Sequence, residues 1–126
     1  MIKIEHFIFN AFQTRCSIVW DNNNICAITD PGCASPAESS QIISFIEKKG
    51  LTPACIMLTH GHFDHITGLD MEHDVDVYMH QADTEWVQSL NQYLPMVGLP
   101  SMDIPNIDKN LEDNDILKIG DKEIKV

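Results

Sequence analysis

One short stretch of the sequence concentrates four side chains of the kinds that bind metal ions. His60, His62, Asp64 and His65 fall within six residues and directly follow the apolar run 54–58. Residues two apart in an extended backbone point to the same side, so His60 and His62 can approach one cation. Asp64 and His65 are adjacent, so the backbone must turn there for both to serve a second cation. The spacing therefore indicates two metal ions.

The residues of this stretch carry a family resemblance. Residues 60–65 match the HxHxDH signature of the metallo-β-lactamase-fold hydrolases, and residues 58–69 resemble the glyoxalase II-like members, the hydroxyacylglutathione hydrolases. Asp30-Pro31-Gly32 resembles the DPG turn of the same family, and the resemblance extends from residue 7 to about residue 79. It implies an α/β (α+β) protein, the first half of a metallo-β-lactamase-type four-layer αβ/βα sandwich.

The resemblance also implies a reaction. A glyoxalase II-like enzyme cleaves a thioester by attack of a metal-bound hydroxide on the substrate carbonyl. His60, His62, Asp64 and His65 would be the metal ligands, and Asp64 would also handle the proton as the nucleophile forms. Imidazole and carboxylate ligands suit zinc, iron and manganese. Two divalent cations, with zinc favoured over iron or manganese, are therefore the expected cofactors.

Two functions of other classes use the same ligand set. An iron-dependent persulfide dioxygenase is an oxidoreductase built on these ligands, and a non-catalytic metal-binding half-domain would keep them without turnover. Within the resemblance, His65 disfavours the branch of β-lactamases that lacks this second-metal ligand. The tRNA-processing nucleases of the fold share the signature, but a nucleic acid substrate suits a net charge of −11 poorly.

Asp30 has two interpretations of equal weight. An Asp-Pro pair commonly begins a turn, whereas the resemblance gives this carboxylate the role of orienting a histidine ligand. His6, His73 and His80 are interpreted as ordinary polar residues, because nothing in their spacing requires a ligand. Cys33 is interpreted as a bystander, the alternative being an exposed thiol near the site.

Composition and charge bound the partners. The 126 residues have the length of a single domain, with ordinary hydrophobic content and a net charge of −11. That charge disfavours nucleic acid and anionic membranes as partners, and no apolar run is long enough to cross a bilayer. The four cysteines lack CxxC spacing, which favours reduced thiols in a cytoplasmic protein. A small-molecule thioester or ester is the expected substrate.

Periodicity predicts the elements that position the ligands. Ser35 is a helix N-cap, Pro36 takes the first helical position and Glu38 completes a capping box, with Gly50 as the stop. Ile42, Ile43, Phe45 and Ile46 are assigned to the apolar face of this helix. The predicted elements are strands at 2–9, 14–20, 54–59 and 75–79, hairpins at 14–30 and 116–126, helices at 36–49 and 81–94, and a loop at 95–114.

The first prediction concerns residues 1–126 taken alone. The resemblance implies seven ligands, three of which come from the second half of the domain, so we expect residues 1–126 to be its N-terminal part. By themselves they should bind metal weakly, self-associate through an exposed apolar sheet face and show little or no turnover. Light scattering and thioester assays with added zinc, manganese or iron test this. A stable monomer with two tightly held metals and ordinary turnover would contradict it.

Overall fold

The computed structural model describes residues 2–33, 35–59, 65, 75–98, 101, 107–112, 115–119 and 122–125. His60, His62 and Asp64 of the predicted ligand set, and also His73, lie outside the described residues. The described strands are β1 Lys3–Phe9, β2 Thr14–Trp20, β3 Ile25–Thr29, β4 Thr52–Met57, β5 Asp76–Met79, β6 Lys109–Asn110, β7 Ile116–Ile119 and β8 Lys122–Lys125. The described helices are α1 Pro36–Lys49, α2 Thr84–Gln88 and α3 Leu90–Tyr93, with 3-10 turns at Gln81–Asp83 and Leu94–Val97.

In the described part of the chain, strands β1 to β6 form one mixed sheet in the order of the sequence. β1, β2 and β3 pair antiparallel, whereas β3, β4, β5 and β6 pair parallel. β7 and β8 form a separate antiparallel hairpin, as predicted for 116–126. Because parallel strands end at the same edge of a sheet, the residues that follow β3, β4 and β5 come together there.

The main core lies between one face of this sheet and the helices. Alternate residues of β2 point into it, so Cys16 and Ile18 are fully buried. Helix α1 contributes Ile42, which is fully buried, and Phe45, whose ring packs edge-to-face 5.5 Å from that of Trp20. Ile43 was assigned to the same face but is 41% exposed, so that assignment is wrong.

A smaller apolar cluster occupies the opposite face of the sheet. Ala27 of β3 and Cys55 of β4 are buried there, with Ile25, Met57 and Tyr78 packed against them. Both faces of the central strands are therefore apolar. This explains why β3 and β4 read as continuous apolar runs and not as alternating ones.

The start and end of helix α1 follow the predicted signals. Ser35 Oγ accepts the backbone N–H of Glu38 at 3.3 Å, Pro36 occupies the first turn, and Gly50 closes the helix with a left-handed φ of 65°. The predicted strand 54–59 begins and ends two residues earlier, at Thr52–Met57. Thr59, which directly precedes the predicted ligand segment 60–65, therefore lies outside the strand.

Two predictions in the second half of the chain are only partly correct. The segment predicted as one helix at 81–94 is helical but is divided into α2, α3 and flanking 3-10 turns, with Trp86 42% exposed and Leu90 fully buried. The loop predicted at 95–114 contains β6, a two-residue strand that pairs with β5. So short a strand carries no alternation, and only its neighbour in the sheet defines it. No helix in the described segments combines the length and apolar character of a membrane span.

All four cysteines lie in described segments, and none forms a disulfide. This agrees with the reduced thiols that the sequence predicts. Cys33 is only 4% exposed, so the alternative of an exposed thiol is wrong. Burial raises the pKa of the Cys16 thiol well above its usual range. Burial, with a smaller contribution from the negative charge of Asp76, raises the pKa of Cys55 to about 11.

The raised pKa of Cys55 predicts a loss of stability in alkali. The thiol ionises near its ordinary value of 9.0 in the unfolded chain and near 11 in the folded one. The un-ionised Cys55 thiol contributes its full stabilisation to the folded state below about pH 9. The free energy of unfolding should therefore fall as the pH rises from 9 to 11. Urea unfolding under reducing conditions should show a shallower fall for Cys55→Ala than for the wild type. Equal slopes in the two proteins would contradict the assignment.

Candidate metal centre

Asp30 stands at the centre of the candidate site, one residue beyond the end of β3. It is 5% exposed and has a left-handed φ of 48°, a conformation that few residues other than glycine adopt. Its backbone N–H donates to the Met57 carbonyl at 3.0 Å, and its own carbonyl accepts the N–H of Gly32 at 2.7 Å. These bonds fix the turn that follows β3 against the end of β4.

The carboxylate of Asp30 connects three segments of the chain. Oδ1 accepts the backbone N–H of Thr59 at 2.8 Å, and Oδ2 accepts the Thr59 hydroxyl at 2.8 Å. Oδ2 also lies 3.4 Å from His65 Nδ1. The turn after β3, the end of the β4 segment and His65 therefore meet at one buried carboxylate.

This arrangement defines how His65 can act. The side chain of His65 is 17% exposed, and its Nδ1 faces the carboxylate. A carboxylate beside Nδ1 favours the tautomer that carries its proton there, which leaves Nε2 as the nitrogen with a lone pair for a cation. Oδ2 lies beside a histidine, as the second interpretation of Asp30 requires, and Asp30 also takes part in the turn of the first interpretation. The role of Asp30 in orienting a metal ligand stays a prediction.

The structure describes one of the four predicted ligands, His65. Because His60, His62 and Asp64 lie outside the described residues, the pairing of ligands around two cations stays a prediction. Among the residues that the structure does describe, no three histidine, cysteine or acidic side chains form a metal-binding group. Thr59, which immediately precedes His60, is anchored to Asp30. Sequence reasoning missed this residue, although its place directly before the first ligand could have indicated it.

Two other histidines behave as the sequence predicts. His6 Nδ1 lies 2.7 Å from the hydroxyl of Ser17 on the neighbouring strand. His80 Nδ1 accepts the N–H of Ala82 and so caps a 3-10 turn. Both rings have local hydrogen-bonding roles of the ordinary polar kind.

A cavity of about 260 Å³ lies at the ends of β5 and β6. Its floor includes Met79 and Val87, and its polar rim includes Gln81, Lys109 and Asn110. None of its lining residues belongs to the group formed by Asp30, Thr59 and His65, so the two features are separate.

Comparison with known proteins decides the family. The family model of the metallo-beta-lactamase superfamily matches residues 9–120. The chain belongs to this superfamily. The solved structure of the BLEG-1 B3 metallo-beta-lactamase superimposes with a TM-score of 0.81 at 26% identity, over 98% of this chain and 59% of that one. The α/β class and the metallo-β-lactamase type of fold predicted from the sequence are thereby confirmed.

Two further similarities concern members of the superfamily with more specific descriptions. Hydroxyacylglutathione hydrolase GloC of Haemophilus influenzae is 33% identical over 106 residues, which cover 81% of this chain and 48% of that protein. The structure of TTHA1623 in a di-iron-bound form gives a TM-score of 0.73 at 25% identity, over 90% of this chain and 56% of that one. The chain spans about half the length of GloC. The predicted resemblance to glyoxalase II-like proteins is confirmed.

The contacts of Asp30 predict a measurable role for the Thr59 hydroxyl. Thr59→Val keeps the branched shape and the backbone N–H but removes the hydroxyl that donates to Oδ2. Hydrogen bonds to charged groups contribute about 1.5–3 kcal/mol, so we expect the free energy of unfolding to fall by about that amount. Urea unfolding measures this. Thr52→Val at the start of β4 is the control and should change the free energy of unfolding by less than about 0.5 kcal/mol. Equal losses in the two variants would refute the role.

Proposed function

We propose that this protein is a metal-dependent hydrolase that cleaves a thioester of the hydroxyacylglutathione class. The observation that carries the proposal is the buried Asp30 carboxylate, which holds Thr59, directly before the HxHxDH segment, and faces His65, the last residue of that segment. Similarity to GloC over 81% of the chain supports the substrate class. The resemblance of residues 58–69 to glyoxalase II-like proteins supports the same substrate class.

The residues fit a pair of divalent cations. His60 and His62 are proposed to hold one cation, and Asp64 and His65 the other, completed by ligands from elsewhere in the full-length protein. The observed orientation of His65, with Nδ1 toward Asp30, suits coordination through Nε2. The di-iron-bound form of the similar TTHA1623 supports two cations per site and keeps iron beside zinc as a candidate.

The roles of the protein side chains follow from this assignment. When bound, the cations polarise a carbonyl and lower the pKa of a coordinated water. A carboxylate oxygen of Asp64 is proposed to accept the proton released by the attacking water. Asp30 holds the His65 ring in one orientation, and Thr59 keeps the start of the ligand segment against the end of β4. With a net charge of −11 on the chain, attraction of an anionic substrate would depend on the cations.

A second hydrolytic reaction has its own support. BLEG-1 is described as a B3 metallo-beta-lactamase and superimposes over nearly the whole chain. A β-lactam amide is cleaved by the same kind of attack on a carbonyl carbon. We place it second, because 26% identity to BLEG-1 is lower than 33% identity to GloC.

Substitution of the ligands tests the assignment. In the full-length protein, His62→Ala should abolish thioester hydrolysis and lower the bound metal measured by elemental analysis. Asp64→Asn should reduce kcat by roughly 100-fold or more even where one metal persists, because the second cation and the proton acceptor both depend on it. His80→Ala, a histidine outside the proposed site, is the control and should leave both measurements unchanged. Full turnover by His62→Ala with unchanged metal content would refute the ligand assignment.

Comparison of substrates separates the candidate reactions. A hydroxyacylglutathione thioester, a chromogenic β-lactam and glutathione persulfide with oxygen-uptake measurement are assayed on the same zinc- and iron-loaded preparations. Hydrolysis of the thioester at the highest kcat/KM supports the proposal. A preference for the β-lactam, or iron-dependent oxygen uptake with the persulfide, would replace it. Tight metal binding without turnover of any of the three would favour a non-catalytic metal-binding domain.

A further inference from the structure

Asn10, in the turn between β1 and β2, joins three segments that are distant in the sequence. It has a left-handed φ of 54°. Its backbone N–H lies 3.1 and 3.0 Å from the two carboxylate oxygens of Glu38 in helix α1. Its side-chain Nδ2 donates to the Gly32 carbonyl at 2.9 Å. The β1–β2 turn, the first turn of α1 and the loop after Asp30 are therefore tied together at one residue.

The orientation of the Asn10 amide follows from its hydrogen bonds. Oδ1 accepts the backbone N–H of Phe12 at 2.8 Å and lies 3.4 Å from the hydroxyl of Thr14. Since both groups donate, the oxygen must face the hairpin and the nitrogen must face Gly32. The amide donor toward Gly32 is thus fixed by the hairpin itself.

Gly32 transmits this constraint to Asp30. The Gly32 N–H donates to the Asp30 carbonyl at 2.7 Å, while the Gly32 carbonyl accepts from Asn10. Asp30 has a left-handed φ of 48°, and a non-glycine residue keeps such a conformation only where its surroundings hold it. The Asp30 N–H donates to the Met57 carbonyl, and two residues later the Gly32 carbonyl accepts from the Asn10 side chain. Hydrogen bonds therefore hold the backbone both at Asp30 and just after it.

Glu38 has a second role beside its place in the helix cap. The sequence pattern assigns its side chain to the first turn of α1, where a negative charge is favourable. The structure shows its carboxylate also accepting the Asn10 N–H. The helix therefore anchors Asn10, and Asn10 in turn anchors the loop of Asp30.

We propose that Asn10, held by Glu38, is a positioning residue for the metal centre, because it fixes the loop that keeps the Asp30 carboxylate on Thr59 and His65. The described contacts of Asn10 lead to the Asp30 carboxylate through Gly32, so its effect on the centre passes through Asp30. The predicted effect of Asn10 on metal binding rests on the proposed function. The predicted effect of Asn10 on the hydrogen bond between Asp30 and Thr59 does not, because it concerns the protein without metal.

The chain offers a matched pair of substitutions. Asn10→Gly keeps the left-handed backbone and the N–H that Glu38 accepts, and removes only the side-chain bonds. Asn24→Gly makes the same change at φ 61° in the turn between β2 and β3, away from the Asp30 loop. Asn10→Asp is a second variant, which keeps the side-chain shape and the Oδ1 acceptor but loses the donor to Gly32.

Two measurements on the full-length protein test the proposal. Zinc affinity, from competition with a chromophoric chelator well below the unfolding temperature, should fall roughly tenfold in Asn10→Gly and Asn10→Asp, the low end of the effects of outer-shell partners. Hydrogen exchange at the Thr59 amide in the metal-free protein should accelerate in both variants. Asn24→Gly should change zinc affinity by less than about twofold and leave the Thr59 amide as protected as in the wild type.

Each outcome decides the matter. Wild-type zinc affinity and Thr59 protection in both Asn10 variants would overturn the proposal, and so would equal losses in Asn24→Gly, which would indicate a general effect on stability. If the wild type binds neither zinc nor iron, the proposed function fails. In that case faster Thr59 exchange in the Asn10 variants alone would still support the positioning role, and unchanged exchange would overturn it.

Discussion

The candidate site depends on one buried carboxylate. Asp30 is 5% exposed, so its negative charge must be balanced by donors within the fold. The backbone N–H and the hydroxyl of Thr59 provide two of these donors, and the imidazole of His65 lies beside them. Removal of any of these partners would leave a charged group poorly solvated. The same requirement that stabilises the carboxylate therefore fixes the segment from which the predicted metal ligands extend.

Sheet topology makes this interaction geometrically available. β3 and β4 are parallel neighbours with Thr29 opposite Met57, so the chain leaves both strands at the same edge. Asp30 and Thr59 are 29 residues apart, yet each lies within two residues of its strand end. Helix α1, packed on the sheet through Ile42 and Phe45, makes the connection between these strands. A parallel pair requires such a crossover, because it returns the chain to the opposite edge of the sheet, so that β4 ends beside the end of β3, where the site lies.

Two residues with unfavourable backbone conformations lie near the sheet edge where β3 ends, and hydrogen bonds hold both of them. Asp30 and Asn10 both have positive φ without being glycine, and the two residues are joined through Gly32. A backbone held in an unfavourable conformation by several hydrogen bonds is pre-organised, because it loses little further freedom when a cation binds. This explains how a site built largely on turns can hold a histidine ring in one orientation.

The sequence by itself determined the family resemblance, the predicted ligand segment 60–65 and the elements with local signals. Helix α1 followed from Ser35, Pro36 and Gly50, because caps act on the nearest turn of backbone. Tertiary structure decided which side chains support the site. Sequence patterns gave Asp30 two equal interpretations, and they gave no indication of the bonds from Asn10 to Glu38 and Gly32. Those contacts join residues 28 and 22 positions apart, which meet only once the strands have paired. Local periodicity carries no information about contacts between residues so distant in sequence. Strand pairing in the sheet determines these contacts, and the sequence adjacent to each residue does not.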